Sequence, residues 1–135
     1  MTADGFNSVP SRFAVAETID RLAGLVTGKG KGMAVFGRVD HAANAVAAQM
    51  KLRPTQLLIF GSPKAGTVLM QESQLIGIDL PLKALAWEDE AGQVWLTAVD
   101  PAWLANRHGL GAGTGAAVSA MAAGVTALIA AAAGQ

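Results

Sequence analysis

The stretch Gln56-Leu-Leu-Ile-Phe-Gly-Ser-Pro63 decides the fold of this chain. Gln56–Phe60 is almost continuously apolar, which is typical of a strand that is central in a sheet or covered on both faces. In the turn that follows, Ser62 can cap the first turn of a helix, and Pro63 suits the first helical position, where no N–H is needed. The stretch therefore predicts a buried strand leading into a helix that ends near Glu72.

The segments upstream of this stretch show the same order of strand and helix. Gly32–Val39 is apolar and contains β-branched residues, so it predicts a strand, and Asp40 then stands where a helix N-cap belongs. The helix that follows is expected over His41–Met50. A first strand, Asn7–Phe13, and a first helix, Glu17–Thr27, precede them, and the helix carries its apolar residues on one face.

The segments downstream predict two strands that are adjacent in the sequence. Leu75–Leu80 is expected to be extended or a turn, and Leu82–Trp87 and Gln93–Val99 then form a hairpin around an acidic loop. A short helix, Ala102–Arg107, and a long Ala-rich helix over about 111–133 follow. The adjacent strands argue against a purely parallel sheet. We expect an α+β fold, a two-layer sandwich with helices packed on one mixed or antiparallel sheet.

The composition limits the class of protein and its partners. A chain of 135 residues with 52% hydrophobic residues fits a single domain over 1–135 with its own core. The absence of cysteine excludes disulfides, thiolate metal sites and a cysteine nucleophile. Lys+Arg and Asp+Glu are both 10, and the one short basic cluster is Lys29, Lys31 and Arg38, so we expect no nucleic-acid partner. Met1–Pro10 shows no signal peptide, which predicts a cytoplasmic protein.

The uncharged segment from Gly111 to Gly134 is long enough to span a bilayer. It consists mostly of Ala and Gly, which favour membrane insertion less than Leu or Ile do. Val118, Met121, Val125 and Leu128 are spaced so that they share one helical stripe. We therefore predict a helix docked on its own domain or on a sister chain, and no membrane partner.

Several motifs resemble one bacterial family. They are Phe-Gly-Arg-Val-Asp-His-Ala-Ala at 36–43, Leu-Arg-Pro-Thr-Gln-Leu-Leu-Ile-Phe-Gly-Ser-Pro at 52–63, Gly-Thr-Val-Leu-Met-Gln at 66–71, Asp-Leu-Pro-Leu at 79–82, Trp-Glu-Asp-Glu-Ala-Gly-Gln-Val-Trp-Leu at 87–96, Asp-Pro at 100–101 and Leu-Ala-Asn-Arg-His at 104–108. Together they resemble the domain of unknown function 302 family over residues 10–108. The resemblance implies a compact α+β fold and a homodimer, and it implies no activity, because the family has no established catalytic residue. Ser62 stands where the family commonly has Asn, and both residues can cap a helix.

Two helix starts form the candidate ligand site. If the strands before Asp40 and Ser62 are parallel neighbours, both helix starts lie at one end of the sheet. A cleft holding Asp40, His41, Ser62 and Thr67 would then suit a small polar or anionic ligand, because helix N-termini favour anions and His41 titrates near neutrality. The alternative is that Asp40 is only a cap and His41 faces solvent.

Other catalytic or metal constellations are weaker. His108 could join His41 and a carboxylate such as Asp40 or Asp100 in a zinc or iron site, but no spacing typical of a metal motif is present, so we predict no metal and no cofactor. A serine hydrolase needs a nucleophile elbow, and Pro63 lacks the N–H that such an elbow supplies.

These observations lead to three functional hypotheses. The first is a small bacterial protein that acts as a dimeric small-ligand-binding or accessory module. The second is a small-molecule enzyme that uses Asp40 and His41 for acid–base chemistry. The third is an interaction protein whose Ala-rich C-terminal helix docks a partner.

Overall fold

The computed structural model describes residues 4–28, 30 and 32–135 of the chain. Lys29 and Lys31 of the predicted basic cluster lie outside the described residues. Five strands form one sheet in the order β1-β5-β4-β3-β2, and every pair of neighbours is antiparallel. The strands are β1 (Phe6–Ser11), β2 (Ala34–Asp40), β3 (Thr55–Gly61), β4 (Leu82–Glu88) and β5 (Val94–Val99).

Five α-helices connect or follow these strands within the described part of the chain. They are α1 (Val15–Val26), α2 (His41–Ala47), α3 (Pro63–Glu72), α4 (Pro101–Arg107) and α5 (Gly115–Ala132), and two 3-10 helices cover Gln74–Ile78 and Ala112–Thr114. The predicted α+β fold with a long Ala-rich C-terminal helix is therefore confirmed. The predicted second helix ends earlier than expected, at Ala47, and Gln49 just beyond it has a φ of 62°. The stretch expected to be extended or a turn is the 3-10 helix Gln74–Ile78.

The main hydrophobic cluster lies between one face of the sheet and the helices α1 and α5. Alternate strand residues point to this face, as the two-residue period of a strand requires. Alanines in β4 and β5 leave room for the helices to approach closely. The main cluster consists of Val15, Ile19, Leu22, Val26, Leu58, Phe60, Ala84, Ala86, Val94, Leu96, Ala98, Val125, Ile129 and Ala132.

A second, smaller cluster lies between α3, the 3-10 helix that follows it, α4 and the first turns of α5. Its buried members are Leu69, Ile76, Ala105 and Val118. Residues 63–78 pack mostly on one another and on α5. This segment therefore forms a subsidiary layer beside the main sandwich.

The C-terminal helix packs on the domain itself. Val125 and Ile129 are buried in the main cluster, and Val118 is buried in the second. Among the described helices, the stretch Ala112–Ala132 is the one long and apolar enough to cross a membrane, and 28% of an 18-residue part of it is buried. Core helices of soluble proteins meet the same criterion of length and composition.

Candidate functional site

The two predicted helix starts lie at opposite ends of the sheet. In the antiparallel pair β2–β3, Ala34 stands opposite Gly61, and Asp40 stands opposite Gln56. Asp40 therefore lies where β3 begins, whereas Ser62 lies where β3 ends. The parallel arrangement on which the shared cleft depended is wrong, because the helix between the two strands returns the chain beside β2 in the reverse direction.

Asp40 is a helix cap at the end of β2. One carboxylate oxygen accepts a hydrogen bond from the Ala43 backbone N–H at 2.9 Å, and the other accepts from the Gln56 amide at 3.4 Å. His41 is exposed, and α2 buries none of its residues. These contacts start a short surface helix and place His41 outside an enclosed site.

Ser62 and Thr67 both serve the first turn of α3. The Ser62 hydroxyl oxygen accepts from the Ala65 N–H at 3.1 Å, and the Thr67 hydroxyl donates to the Pro63 carbonyl at 2.7 Å. Thr67 is exposed, whereas Ser62 is half-buried and borders a large groove. Of the four predicted site residues, Ser62 is thus the one that this groove includes.

The groove is a cavity of about 700 Å³ between α5, α3 and the end of β3. It lies along the seam between the two hydrophobic clusters. Phe60, Leu82 and Leu128 line it from the main cluster, and Met70 and Met121 line it from the second cluster. The two clusters fail to meet here, so apolar side chains on both sides face an open space.

Small residues of α5 create much of this space. Ala120, Gly124 and Ala127 face the groove along one stripe of the helix. A Cβ atom added to Gly124 would meet nothing within 4 Å. Val125 is the next residue; it points roughly 100° away into the main cluster and also borders the groove. The larger apolar residues of α5 therefore pack on the hydrophobic clusters, and the small residues beside them widen the groove.

The opposite wall depends on a close approach at Gly77. A Cβ atom there would lie 3.1 Å from the Met70 sulfur, which is tighter than ordinary packing. Leu80 and Pro81 continue the same wall. Gly77 thus lets the 3-10 helix lie against α3 and define the edge of the groove.

A charged cluster stands behind this wall. The Asp79 carboxylate accepts two hydrogen bonds from Arg107 Nη1, at 3.0 and 3.1 Å, and lies 2.5 Å from His108 Nε2. His108 therefore pairs with Asp79, which is the first residue of the family-like motif Asp-Leu-Pro-Leu at 79–82. Within the described residues, no group of three or more His, Cys, Asp or Glu side chains could hold a metal ion.

The acidic hairpin loop has a structural role. Asp89 accepts from the backbone N–H groups of Ala91 and Gln93 at 2.9 Å, and also from the Trp95 indole at 2.9 Å. The hydrogen bond from Trp95 is the main cause that lowers the pKa of Asp89 below its ordinary value of 3.8. Trp95 stacks on Trp87 with ring centres 6.4 Å apart, on the sheet face opposite α1 and α5.

Comparisons with known proteins place this fold in a family. The family described as "Domain of unknown function DUF302" matches residues 7–130, which reaches further than the segment on which the resemblance rested and includes most of α5. A crystal structure of an uncharacterized conserved protein DUF302 from Bacillus stearothermophilus superposes with a TM-score of 0.75 and 20% identity, covering 97% of both chains. That likeness is one of fold.

Curated relatives carry a different name. "Fluoride-specific ion channel FluC 1" of Brucella suis biovar 1 (strain 1330) is 56% identical over 120 residues, which are 89% of this chain and 46% of that protein. "Fluoride-specific ion channel FluC 2" of Brucella melitensis biotype 1 is also 56% identical over 120 residues, which are 44% of its length. This chain thus spans less than half the length of these relatives. From the match over 7–130, the chain belongs to the DUF302 family of domains of unknown function.

Proposed function

We propose that this chain is a non-catalytic binding module that holds a small, largely apolar molecule in the seam groove. The observation that supports it is the cavity of about 700 Å³ between the two hydrophobic clusters. Small-molecule sites usually have volumes of roughly 300–1,000 Å³ and walls that are mostly apolar. A ligand in this seam would join the two clusters and bury side chains that water now reaches.

The walls of the groove favour an apolar ligand over the polar or anionic one expected from sequence. Met33, Met70 and Met121 line it, and methionine side chains adapt to irregular apolar shapes. Ser62 supplies a hydroxyl at the mouth of the groove. Its oxygen already accepts from Ala65, so its hydrogen is left to donate to a ligand. The proposed ligand is therefore mainly hydrocarbon with one hydrogen-bond acceptor.

A pair of α5 variants tests this proposal. Gly124→Leu extends a side chain into the groove from a position where an added Cβ atom meets nothing within 4 Å, and Ala123→Leu adds the same side chain on the exposed side of the helix. Fluorescence titration with anilinonaphthalene sulfonate, followed by displacement with decanol and decanoate, measures the affinity. We expect Gly124→Leu to weaken binding by about tenfold or more and Ala123→Leu to leave it unchanged. Equal affinities in both variants, or no saturable binding by the unaltered protein, would refute the proposal.

We also propose that the module is a homodimer that pairs through the sheet face opposite α1 and α5. Leu57, Leu85, Trp87 and Trp95 are partly exposed on this face, and aromatic residues are enriched in protein interfaces. The zero net charge opposes self-association less than a large charge would.

Analytical ultracentrifugation of the unaltered protein and of Leu85→Lys tests this pairing. We expect a dimer that dissociates in the variant, while Lys64→Leu, on α3, leaves the mass unchanged. A monomer at all accessible concentrations would exclude the homodimer.

The names of the curated relatives favour a related, accessory role. A segment 56% identical to this chain makes up 46% of a protein named as a fluoride-specific ion channel. We propose that the module works in the cytoplasm beside a membrane channel and reports the groove ligand to it. Fluoride flux through the Brucella suis protein, reconstituted in vesicles, should change when decanol is added. A flux that is insensitive to decanol, although decanol binds, would exclude this role and leave the binding module intact.

A further inference from the structure

The outer wall of the groove is a segment with few anchors of its own. This wall segment, residues 74–82, contributes Gly77, Leu80 and Pro81 to the groove. Within it, Ile76 is fully buried in the second cluster, whereas Leu75 and Ile78 are 72% and 73% exposed. Ile76 is thus the one fully buried apolar residue of the wall segment, Leu80 packs partly buried against the same cluster, and Leu82 joins the sheet at the start of β4.

The side chain of Asp79 supplies a second anchor, between the residues that line the groove. It contacts residues at the end of α4, a helix that is fixed on the domain by its buried residues Leu104 and Ala105. The His108 side chain is only 6% exposed and Asp79 is 20% exposed, whereas Arg107 is 53% exposed. Water screens the contact with Arg107 more than the contact with His108, so the His108 contact is the stronger tie.

We propose that Asp79, held by His108 and Arg107, is the positioning residue that fixes the outer wall and sets how fast ligands enter and leave. This inference rests on the proposed function, because it concerns the same groove. Releasing Asp79 leaves the stretch between Ile76 and the sheet at Leu82 held by the partial burial of Leu80 alone. The wall then opens more often, and ligand association and dissociation both become faster.

Hydrogen exchange in the ligand-free protein tests the anchor by itself. The backbone N–H of Asp79 donates to the Ile76 carbonyl at 2.9 Å, so its exchange reports opening of the wall segment. In Asp79→Ala and His108→Ala we expect this amide to exchange about tenfold faster or more, with amides of α1 unchanged. His108→Gln keeps a side-chain N–H donor and should restore most of the protection. Asp20→Asn, which breaks the exposed ion pair with Arg38, is the matched control.

Stopped-flow release of bound anilinonaphthalene sulfonate tests the consequence for the groove. We expect dissociation to be about fivefold faster or more in His108→Ala, less affected in Arg107→Ala, and unchanged in Asp20→Asn. Unaltered exchange or release, or faster exchange spread evenly over the molecule, would overturn the positioning role while leaving the binding module standing. If the unaltered protein binds no probe, the proposed function falls, and the positioning role falls with it.

Discussion

The two hydrophobic clusters use similar residues and differ in how many of them are buried. The main cluster is covered by the sheet on one side and by α1 and α5 on the other, and Ile19, Leu22 and Ile129 in it are fully buried. The second cluster has four buried members and borders the groove. Both clusters border the groove, but the main cluster has fourteen buried members between the sheet and two helices, so it contributes more to stability, and the seam between the clusters keeps apolar surface for a ligand.

The largest expected effect on stability comes from a substitution in the main cluster. Leu22→Ala removes a fully buried side chain of α1 from the cluster between the sheet, α1 and α5. We expect the free energy of unfolding to fall by about 2–5 kcal/mol, measured by urea denaturation. Probe affinity under folding conditions should not change. A loss below about 1 kcal/mol would mean that the main cluster repacks, and the contrast with the second cluster would fail.

Leu69→Ala makes the equivalent change in the second cluster. Leu69 is also buried, but its cluster partners Met70 and Met121 line the groove, so we expect their side chains to move into the space that Leu69 leaves. We expect a loss near the lower end of the range for such substitutions, about 2 kcal/mol, and loss of hydrogen-exchange protection confined to residues 63–78. If protection falls equally in α1, the two clusters behave as one unit.

The fold could be predicted from local patterns because each element carries its own signal. The apolar run Gln56–Phe60, the acidic turn between β4 and β5 and the caps at Asp40 and Ser62 each mark an element or its boundary. The direction of β2 relative to β3 carries no such local signal. A connection that contains a helix can join two parallel or two antiparallel strands. Asp40 and Ser62 would lie at the same end of the sheet only if β2 and β3 were parallel.

The groove depends on how a helix is rotated, which its sequence leaves open. Val118, Met121, Val125 and Leu128 were predicted to share one apolar stripe. The structure keeps them on the side of α5 that faces the domain, with Val118 and Val125 buried and Met121 and Leu128 packed partly buried beside them. The stripe did not reveal the row of small residues beside it, Ala120, Gly124 and Ala127, which widens the groove. In a helix made mostly of Ala and Gly, several faces are apolar enough to pack, so the neighbouring elements determine the rotation.

The contact between Asp79 and His108 could not be predicted from local sequence patterns either. Asp79 and His108 are 29 positions apart in the chain. His108 was considered only as a metal ligand together with His41. Pairs at such a distance are brought together by tertiary packing, here by α4 against the wall segment.

Substitutions at the two helix caps are expected to have an intermediate effect on stability, and their effects on ligand binding should differ between the two ends of the sheet. Asp40→Ala and Ser62→Ala each remove a hydrogen bond to the next turn and should each cost about 1 kcal/mol of stability. Ser62→Ala should also weaken the binding of decanol, whereas Asp40→Ala and His41→Ala should not. Calorimetric titration of the three variants gives the comparison. Weaker binding in His41→Ala would indicate that the ligand binds near Asp40 and not in the groove beside Ser62.

The smallest expected effect lies on the sheet face opposite both clusters. The Trp95 indole donates to Asp89 and holds the pKa of that carboxyl below 3.8. Because the folded-state pKa is the lower one, the interaction stabilises the fold fully above pH 3.8 and is lost as the pH falls through the folded-state pKa. Trp95→Phe should raise the pKa of Asp89 towards 3.8, as followed by carboxyl NMR titration. Trp87→Phe is the control, since it removes a hydrogen bond to Thr97 and leaves Asp89 with its donor. An equal rise of the Asp89 pKa in both variants would contradict this role of the hydrogen bond. It would show that the stacked tryptophans act on Asp89 together, without a separate contribution from the Trp95 indole N–H.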